Sequence, residues 1–269
     1  MSFQVKLDTT FAAKLKAAKR VLAGVWVCSG NPVVAEICAG SGLDWLLIDA
    51  EHTANDLQSL QMQLQAVQGY GATPVVRPPH SAPALIKQYL DLGVQNLILP
   101  MVNSADEARE HVRAISYPPH GIRGVGSALA RASRWNRVEN YLQDAQDSIS
   151  LFVQIETIEA IQNLNEILDV EGIDGIFIGP SDLAASMGLL GQQEHPDVVT
   201  HVLNTIAAAK QKGLYAGVNA FAPSTAEKYA AAGVDFILVN ADVAILARAT
   251  EGIAKQYGAG EAANNRSSY

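Results

Sequence analysis

Polar and charged residues end the apolar runs of this sequence again and again. Asp49, Glu51 and His52 end the run 44–52 (DWLLIDAEH), and Arg77 ends 73–77 (TPVVR). Glu156 ends 151–156 (LFVQIE), and Asp182 closes 175–182 (GIFIGPSD). A buried strand has no packing reason to end in a charge each time. If the runs are parallel strands closed into a barrel, all these side chains meet at one mouth. Several acids, a base and an arginine around one cavity suit metal-assisted chemistry on a small anion.

Each residue type suggests a role. Glu156 and Asp182 end consecutive predicted strands, and two carboxylates with open positions suit a hard octahedral cation such as Mg2+ or Mn2+. The turn Gly179-Pro180-Ser181 opens a helix, so the backbone N–H groups of Ser181 and Asp182 can face a substrate carboxylate. His52 is a general-base candidate, with Asp49 the carboxylate expected to fix its tautomer. Arg77 can stabilise an oxyanion. Gln154, two residues before Glu156, points to the same side of the strand and can orient a water or donate to substrate. Plainer uses stand beside these: a helix cap for Glu156, a surface loop for His52, a structural ion pair for Arg77 and a layer-filling amide for Gln154.

Other chemistries lack their residues. No lysine ends a predicted strand, so a Schiff-base mechanism has no nucleophile in place. There is no G-x-S-x-G elbow and no Ser-His-Asp or Cys-His order. No G-x-G-x-x-G follows a strand and no G-x-x-x-x-G-K-[ST] occurs, so no nucleotide cofactor is expected.

The elements that must position these residues alternate in type. Short β-rich runs lie at 21–28, 45–49, 74–77, 96–102, 151–156, 175–178, 215–219 and 236–240. Between them, helical spacing covers 32–40, 56–67, 82–92, 104–115, 158–167, 195–212, 224–232 and 243–257, with an amphipathic opener at 10–19. Eight β-then-α units predict an α/β fold, a (β/α)8 barrel, over residues 1–257 as a single domain. Residues 258–269 read as a flexible polar tail. Gly42, Gly71, Gly93, Gly213 and Gly233 are expected just past helix ends, and Asn55, Ser104 and Ser224 at helix starts. The long connection 117–137 is followed by a short helix at 138–145.

Composition bounds the rest. The 269 residues, 49% apolar, suffice for one large core, and no segment is long enough to span a membrane. No secretory leader is evident, so a cytoplasmic location is expected. Cys28 and Cys38 read as reduced, buried hydrophobes. A net charge of −8 argues against nucleic acid as a partner. Between Glu110 and Glu139 there is no acid, yet Arg113, Arg123, Arg131, Arg134 and Arg137 fall there. Such a segment wants an anion, either the distal carboxylate of a diacid substrate or a neighbouring subunit.

The motifs DWLLIDAEH (44–52), PVVRP (74–78), RGVGSALARASRW (123–135), VQIET (153–157) and DGIFIGPSDL (174–183) resemble the HpcH/HpaI family of class II pyruvate aldolases. The resemblance runs from about Val21 to Tyr257. It implies a (β/α)8 barrel in a homo-oligomer, a hexamer with a C-terminal helix exchanged between subunits. It also implies reversible cleavage of 4-hydroxy-2-ketoacids, such as 4-hydroxy-2-oxoheptanedioate, to pyruvate and an aldehyde, with Mg2+, Mn2+ or Co2+ as the metal. By position, Glu156 and Asp182 would be metal ligands, His52 the base, Arg77 the enolate stabiliser, and Gln154 and Ser181 pyruvate contacts. Asp91 matches a family position that raises the histidine's basicity, a second choice beside Asp49. Sugar-acid or hydroxypyruvate aldolases are the alternatives within the family, and a citrate-lyase-β-like CoA-ester lyase or a non-catalytic metal- and ketoacid-binding barrel those outside it. Two departures, Ala50 where the family has Gly and Asn240 where the last strand has Gly, are expected to reshape the mouth on the aldehyde side.

Overall fold

In the computed structural model, which describes residues 4–258, eight parallel strands close into a barrel in the order β1 to β8. The N-terminal helix α1 (Phe11–Ala17) precedes β1 (Leu22–Val27), and α2 (Pro32–Ala39) follows it. The next units are β2 (Trp45–Asp49) with α3 (Leu57–Ala66), β3 (Thr73–Arg77) with α4 (Pro83–Asp91), and β4 (Asn96–Leu99) with α5 (Ala105–Ile115). After the long connection come α6 (Tyr141–Asp144), β5 (Ser150–Ile155), α7 (Ile158–Gln162) and α8 (Leu164–Leu168). The chain ends with β6 (Gly175–Ile178), α9 (Pro180–Ser186), α10 (Pro196–Gln211), β7 (Tyr215–Asn219), α11 (Pro223–Ala231), β8 (Phe236–Ala241) and α12 (Asp242–Gln256). The tail expected at 258–269 lies, beyond Gly258, outside the described residues. No described helix is long and apolar enough to cross a membrane.

Strand alternation sorts each residue to one of two cores. Outward residues such as Val25, Ile48, Val76, Leu97 and Val153 pack under the helices. Inward residues Leu22, Trp45, Leu47, Val75, Ile98, Phe152, Phe177, Phe236 and Leu238 fill the barrel. Large rings face missing side chains: a Cβ at Gly24 would lie 2.3 Å from the Trp45 ring, and one at Gly217 would lie 2.1 Å from Phe236. Phe11 closes the floor, its ring centroid 5.4, 5.7 and 5.2 Å from Trp45, Phe152 and Phe236. Two inward polar residues at the strand starts hold it there. Asn96 Oδ1 accepts the Phe11 N–H at 2.7 Å, and Ser150 Oγ accepts that of Ala12 at 3.0 Å.

Several local expectations shift. Asp56, not Asn55, caps α3: its carboxylate accepts the Ser59 N–H, and Ser59 Oγ accepts that of Asp56 in return. Pro223 starts α11 after an extended Ala222, so Ser224 lies inside the helix rather than at its cap. Gly69, with φ +97°, makes the left-handed turn after α3 in place of Gly71. The predicted helix 158–167 breaks at Asn163 into α7 and α8. The two departures also do not reach the mouth as expected. Ala50 faces outward and packs under the helices. A bulge moves the register so that Asn240 pairs with outward-facing Val25, and the Asn240 amide oxygen accepts the N–H of Ala241.

Phe11 is fully buried among three rings. Phe11→Ala should therefore cost about 3–5 kcal/mol, read as a lowered midpoint in urea unfolding, with the barrel's circular dichroism spectrum retained at low denaturant.

Candidate active site at the barrel mouth

The inward face that is apolar below becomes polar at the upper level. Register pairs Asp49 with Arg77, and alternation places Trp26, Gln154, Gly179 and Asn219 on the same inward face near the strand ends. Arg77 is only 4% exposed, so its charge requires partners inside the barrel. Nε donates to Asp49 Oδ1 at 2.9 Å, and Nη1 stands 3.0 Å from Glu51 Oε2. The guanidinium also lies 5.2 Å from the centroid of the Trp26 ring. Burial works against the charge, but the hydrogen bond and charge of Asp49, with Glu51 and Glu156, hold Arg77 protonated above its ordinary range. Nη2 has no hydrogen-bond partner among the described residues and is free for a substrate oxygen.

Opposite stands Glu156, just past β5 and 2% exposed. Its Oε1 accepts the Met101 N–H at 2.7 Å, and its Oε2 accepts from Gln154 Nε2. Met101 reaches it from a left-handed backbone, φ +56°, unusual for a residue other than glycine. Burial pushes the Glu156 carboxyl up to about 7; Asp182 and Glu51 add to this, against the two hydrogen bonds. Glu51 is also raised, first by burial and then by Asp49 and Asp182, while Arg77 and His52 oppose. Glu51, Glu156 and Asp182 thus form a mutually repelling acidic group. Asp182 lies in the first turn of α9, three residues beyond Gly179, where the Ser181 and Asp182 N–H groups have no helical acceptor.

His52 lies on the β2–α3 loop with its side chain 66% exposed, Nε2 3.7 Å from Glu51 Oε2. The carboxylate beside it is therefore Glu51. Asp49, expected in that role, instead binds Arg77 and accepts the Glu51 N–H at 3.0 Å. Asp91 does not approach His52 within the chain. It ends α4, at the rim opposite the mouth, and pairs with Arg123 at 3.0 Å. The His52 loop is tied down by a polar ladder. Thr53 Oγ1 and Asn55 Nδ2 both donate to the Asp49 carbonyl at 2.5 Å. Asn55 Oδ1 accepts from Gln63 Nε2 of α3 at 2.6 Å.

The arginine-rich segment does not enter its own mouth. Arg123, Arg131 and Arg134 are buried at the rim opposite the mouth, where Arg123 stacks 4.6 Å from the Tyr117 ring centroid. Arg131 donates to the Leu92 carbonyl, and Arg134 to the Arg131 carbonyl. Sequence reasoning named Glu51 without a role, although alternation from Asp49 would have marked it as a mouth residue. It missed Met101, whose contribution is a backbone angle with no sequence signature. It also missed Asn219, which the same alternation places in the mouth layer.

The raised Glu156 carboxyl has a linkage consequence. Between the ordinary 4.5 and about 7 the folded chain holds this proton more tightly than the unfolded chain, so stability falls as pH rises through that window. Melting temperatures in chelator should therefore decline from pH 5 to pH 7.5, and Glu156→Gln should flatten the decline. An equal slope in the variant would refute the assignment.

Residues 22–249 match the family model described as HpcH/HpaI aldolase/citrate lyase. A "4-hydroxy-2-oxo-heptane-1,7-dioate aldolase" of Shigella sonnei is 50% identical over 253 residues, covering 94% of this chain and 96% of the relative. An HpcH/HpaI aldolase/citrate lyase family protein of Burkholderia cenocepacia superimposes with TM-score 0.88 at 36% identity, covering 92% of this chain and 98% of the other. An HpcH/HpaI aldolase of Desulfitobacterium hafniense gives TM-score 0.84 at 30% identity, covering 96% and 100%. With the barrel, the acidic group and the mouth arginine in place, this chain belongs to the HpcH/HpaI aldolase/citrate lyase family.

Proposed function

We propose that this chain is a divalent-metal-dependent class II aldolase that cleaves 4-hydroxy-2-oxoacids to pyruvate and an aldehyde. The observation that carries this reading is the acidic group of buried Glu156, half-buried Glu51 and exposed Asp182 around buried Arg77, whose Nη2 is free. Acids that raise one another's pKa are uncomfortable without a cation, and the all-oxygen donor set fits Mg2+ or Mn2+. Glu156 and Asp182 would hold the ion, which supplies polarisation of the keto oxygen and charge for the ketoacid carboxylate.

The chain's own residues supply the rest. Ser181 and Asp182 N–H groups, with Gln154, orient the ketoacid end. His52 takes the proton of the 4-hydroxyl, the C4–O bond becomes a carbonyl, and the C3–C4 bond breaks. The electron pair passes to pyruvate enolate, whose oxygen receives Arg77 Nη2. Protonation at C3 completes pyruvate. Glu51, touching both Arg77 and His52, couples the two halves and supports the base. The name of the Shigella sonnei relative makes 4-hydroxy-2-oxoheptanedioate the first substrate to try.

The reading extends to a cytoplasmic homo-oligomer, the family's hexamer. Free Cys28 and Cys38 suit a reducing compartment. Exposed Val33 and Ile37 on α2, with Leu246 and Ile253 on α12, offer apolar surface for subunit packing.

Chelator should abolish cleavage and Mg2+ or Mn2+ should restore it; full metal-free turnover would sink the proposal. Arg77→Ala should lower kcat about 100-fold or more. Borohydride with pyruvate should trap no adduct, whereas a modified lysine in the peptide map would mean Schiff-base chemistry.

A further inference from the structure

The β7 side of the mouth carries a polar group that the reaction above does not use. Asn219 ends β7 on the same face as Tyr215, which packs against the barrel interior, and Gly217, whose missing side chain accommodates the Phe236 ring. Alternation therefore brings Asn219 to the mouth level. It is half-buried, and no side-chain hydrogen bond among the described residues involves its amide. The β6–β7 register pairs Ile178 with Val218, so Asn219 lies beside Gly179, about 4.8 Å away across the strand spacing.

Gly179 makes this position important. A Cβ there would stand 2.8 Å from Glu156 Oε2 and 3.3 Å from Gln154 Nε2. The missing side chain lets the Glu156 carboxylate and the Gln154 amide close onto the β6 backbone, with Asn219 on the adjacent strand. Phe221, two residues on, lies edge-on to Trp26 with centroids 5.9 Å apart and gives this side an apolar wall. An unpartnered amide beside an apolar wall, next to the ketoacid site, is a place to read the other half of the substrate.

We propose that Asn219 is a specificity-determining residue that hydrogen-bonds a hydroxyl group on the aldehyde-derived half of the substrate. The assignment rests on the aldolase reading above. An amide offers one donor and one acceptor group, which matches a hydroxyl in both directions. An alkyl chain covering it would strip both from water without replacement. The buried arginines of the 123–134 segment, which could pair with a distal carboxylate, are at the opposite rim. The chain therefore prefers hydroxylated aldehydes to alkyl ones.

The test is a ratio. Glycolaldehyde and propanal differ by hydroxyl against methyl at the same position, so kcat/KM for aldol addition is measured for each with saturating pyruvate and Mg2+. Asn219→Leu should lower the glycolaldehyde-to-propanal ratio by about tenfold or more, because a site built to hydrogen-bond a hydroxyl discriminates through the unpaired polar group. Asn219→Ser, which keeps a hydroxyl, should retain most of the wild-type ratio and serves if the leucine variant does not fold. An unchanged ratio, or an equal loss for both aldehydes, overturns the proposal. A loss confined to succinic semialdehyde also overturns it, since the residue would then read a carboxylate. Deuterium exchange of the pyruvate methyl group by the wild-type enzyme separates the two levels. No exchange and no product with any aldehyde defeats the aldolase reading, whereas exchange with a ratio insensitive to Asn219 defeats this one alone.

Discussion

The structure turns on a guanidinium placed where water does not reach. Arg77 is 4% exposed, and an unpaired charge there would be strongly unfavourable. Asp49 and Glu51 supply the counter-charge, and the order of their contacts organises the rest of the mouth. Asp49 takes Nε and the Glu51 N–H, which turns the β2–α3 loop. Glu51 then bridges Nη1 and His52. The Asp49 carbonyl anchors Thr53 and Asn55, and through Asn55 the buried Gln63 of α3. One buried cation thus fixes the position of the base as well as its own.

Small and large side chains divide the barrel by height. Its lower and middle levels interleave rings with glycines and exclude water. The rigid filling gives the upper level a floor, so that a polar side chain one pleat higher is held by packing as well as by hydrogen bonds. The upper level can then tolerate mutually repelling acids, a strained Met101 and unpartnered amides, because the stability of the closed barrel does not depend on it.

The barrel and the central chemistry were legible in the sequence because both follow from local pattern. Eight alternations of a period near 2 with a period near 3.6 leave little choice of architecture. A charge at a strand end is visible without knowing the fold. Glu156, Asp182, Arg77 and His52 could be named on that ground, and the structure brings them to one end of the barrel. What failed depends on pairing. Whether His52 meets Asp49, Asp91 or Glu51 is decided by which carboxylate Arg77 holds and by the direction of α4, neither of which spacing reveals. Ala50 and Asn240 were misjudged because outward parity and a single-residue bulge decide what they face. Met101 acts through its main chain, and main-chain geometry has no side-chain signature.

The floor of the barrel has a consequence for how the chain becomes a protein. Phe11 precedes every strand, yet its ring is closed in by Phe236 of the last one. During synthesis the plug emerges first and must remain unsatisfied until nearly the whole chain has followed. So long a sequence separation slows closure and leaves an apolar edge open meanwhile. The completion of the floor is thus a late step, and β8 is both the final strand of the barrel and the lock on the helix that begins it.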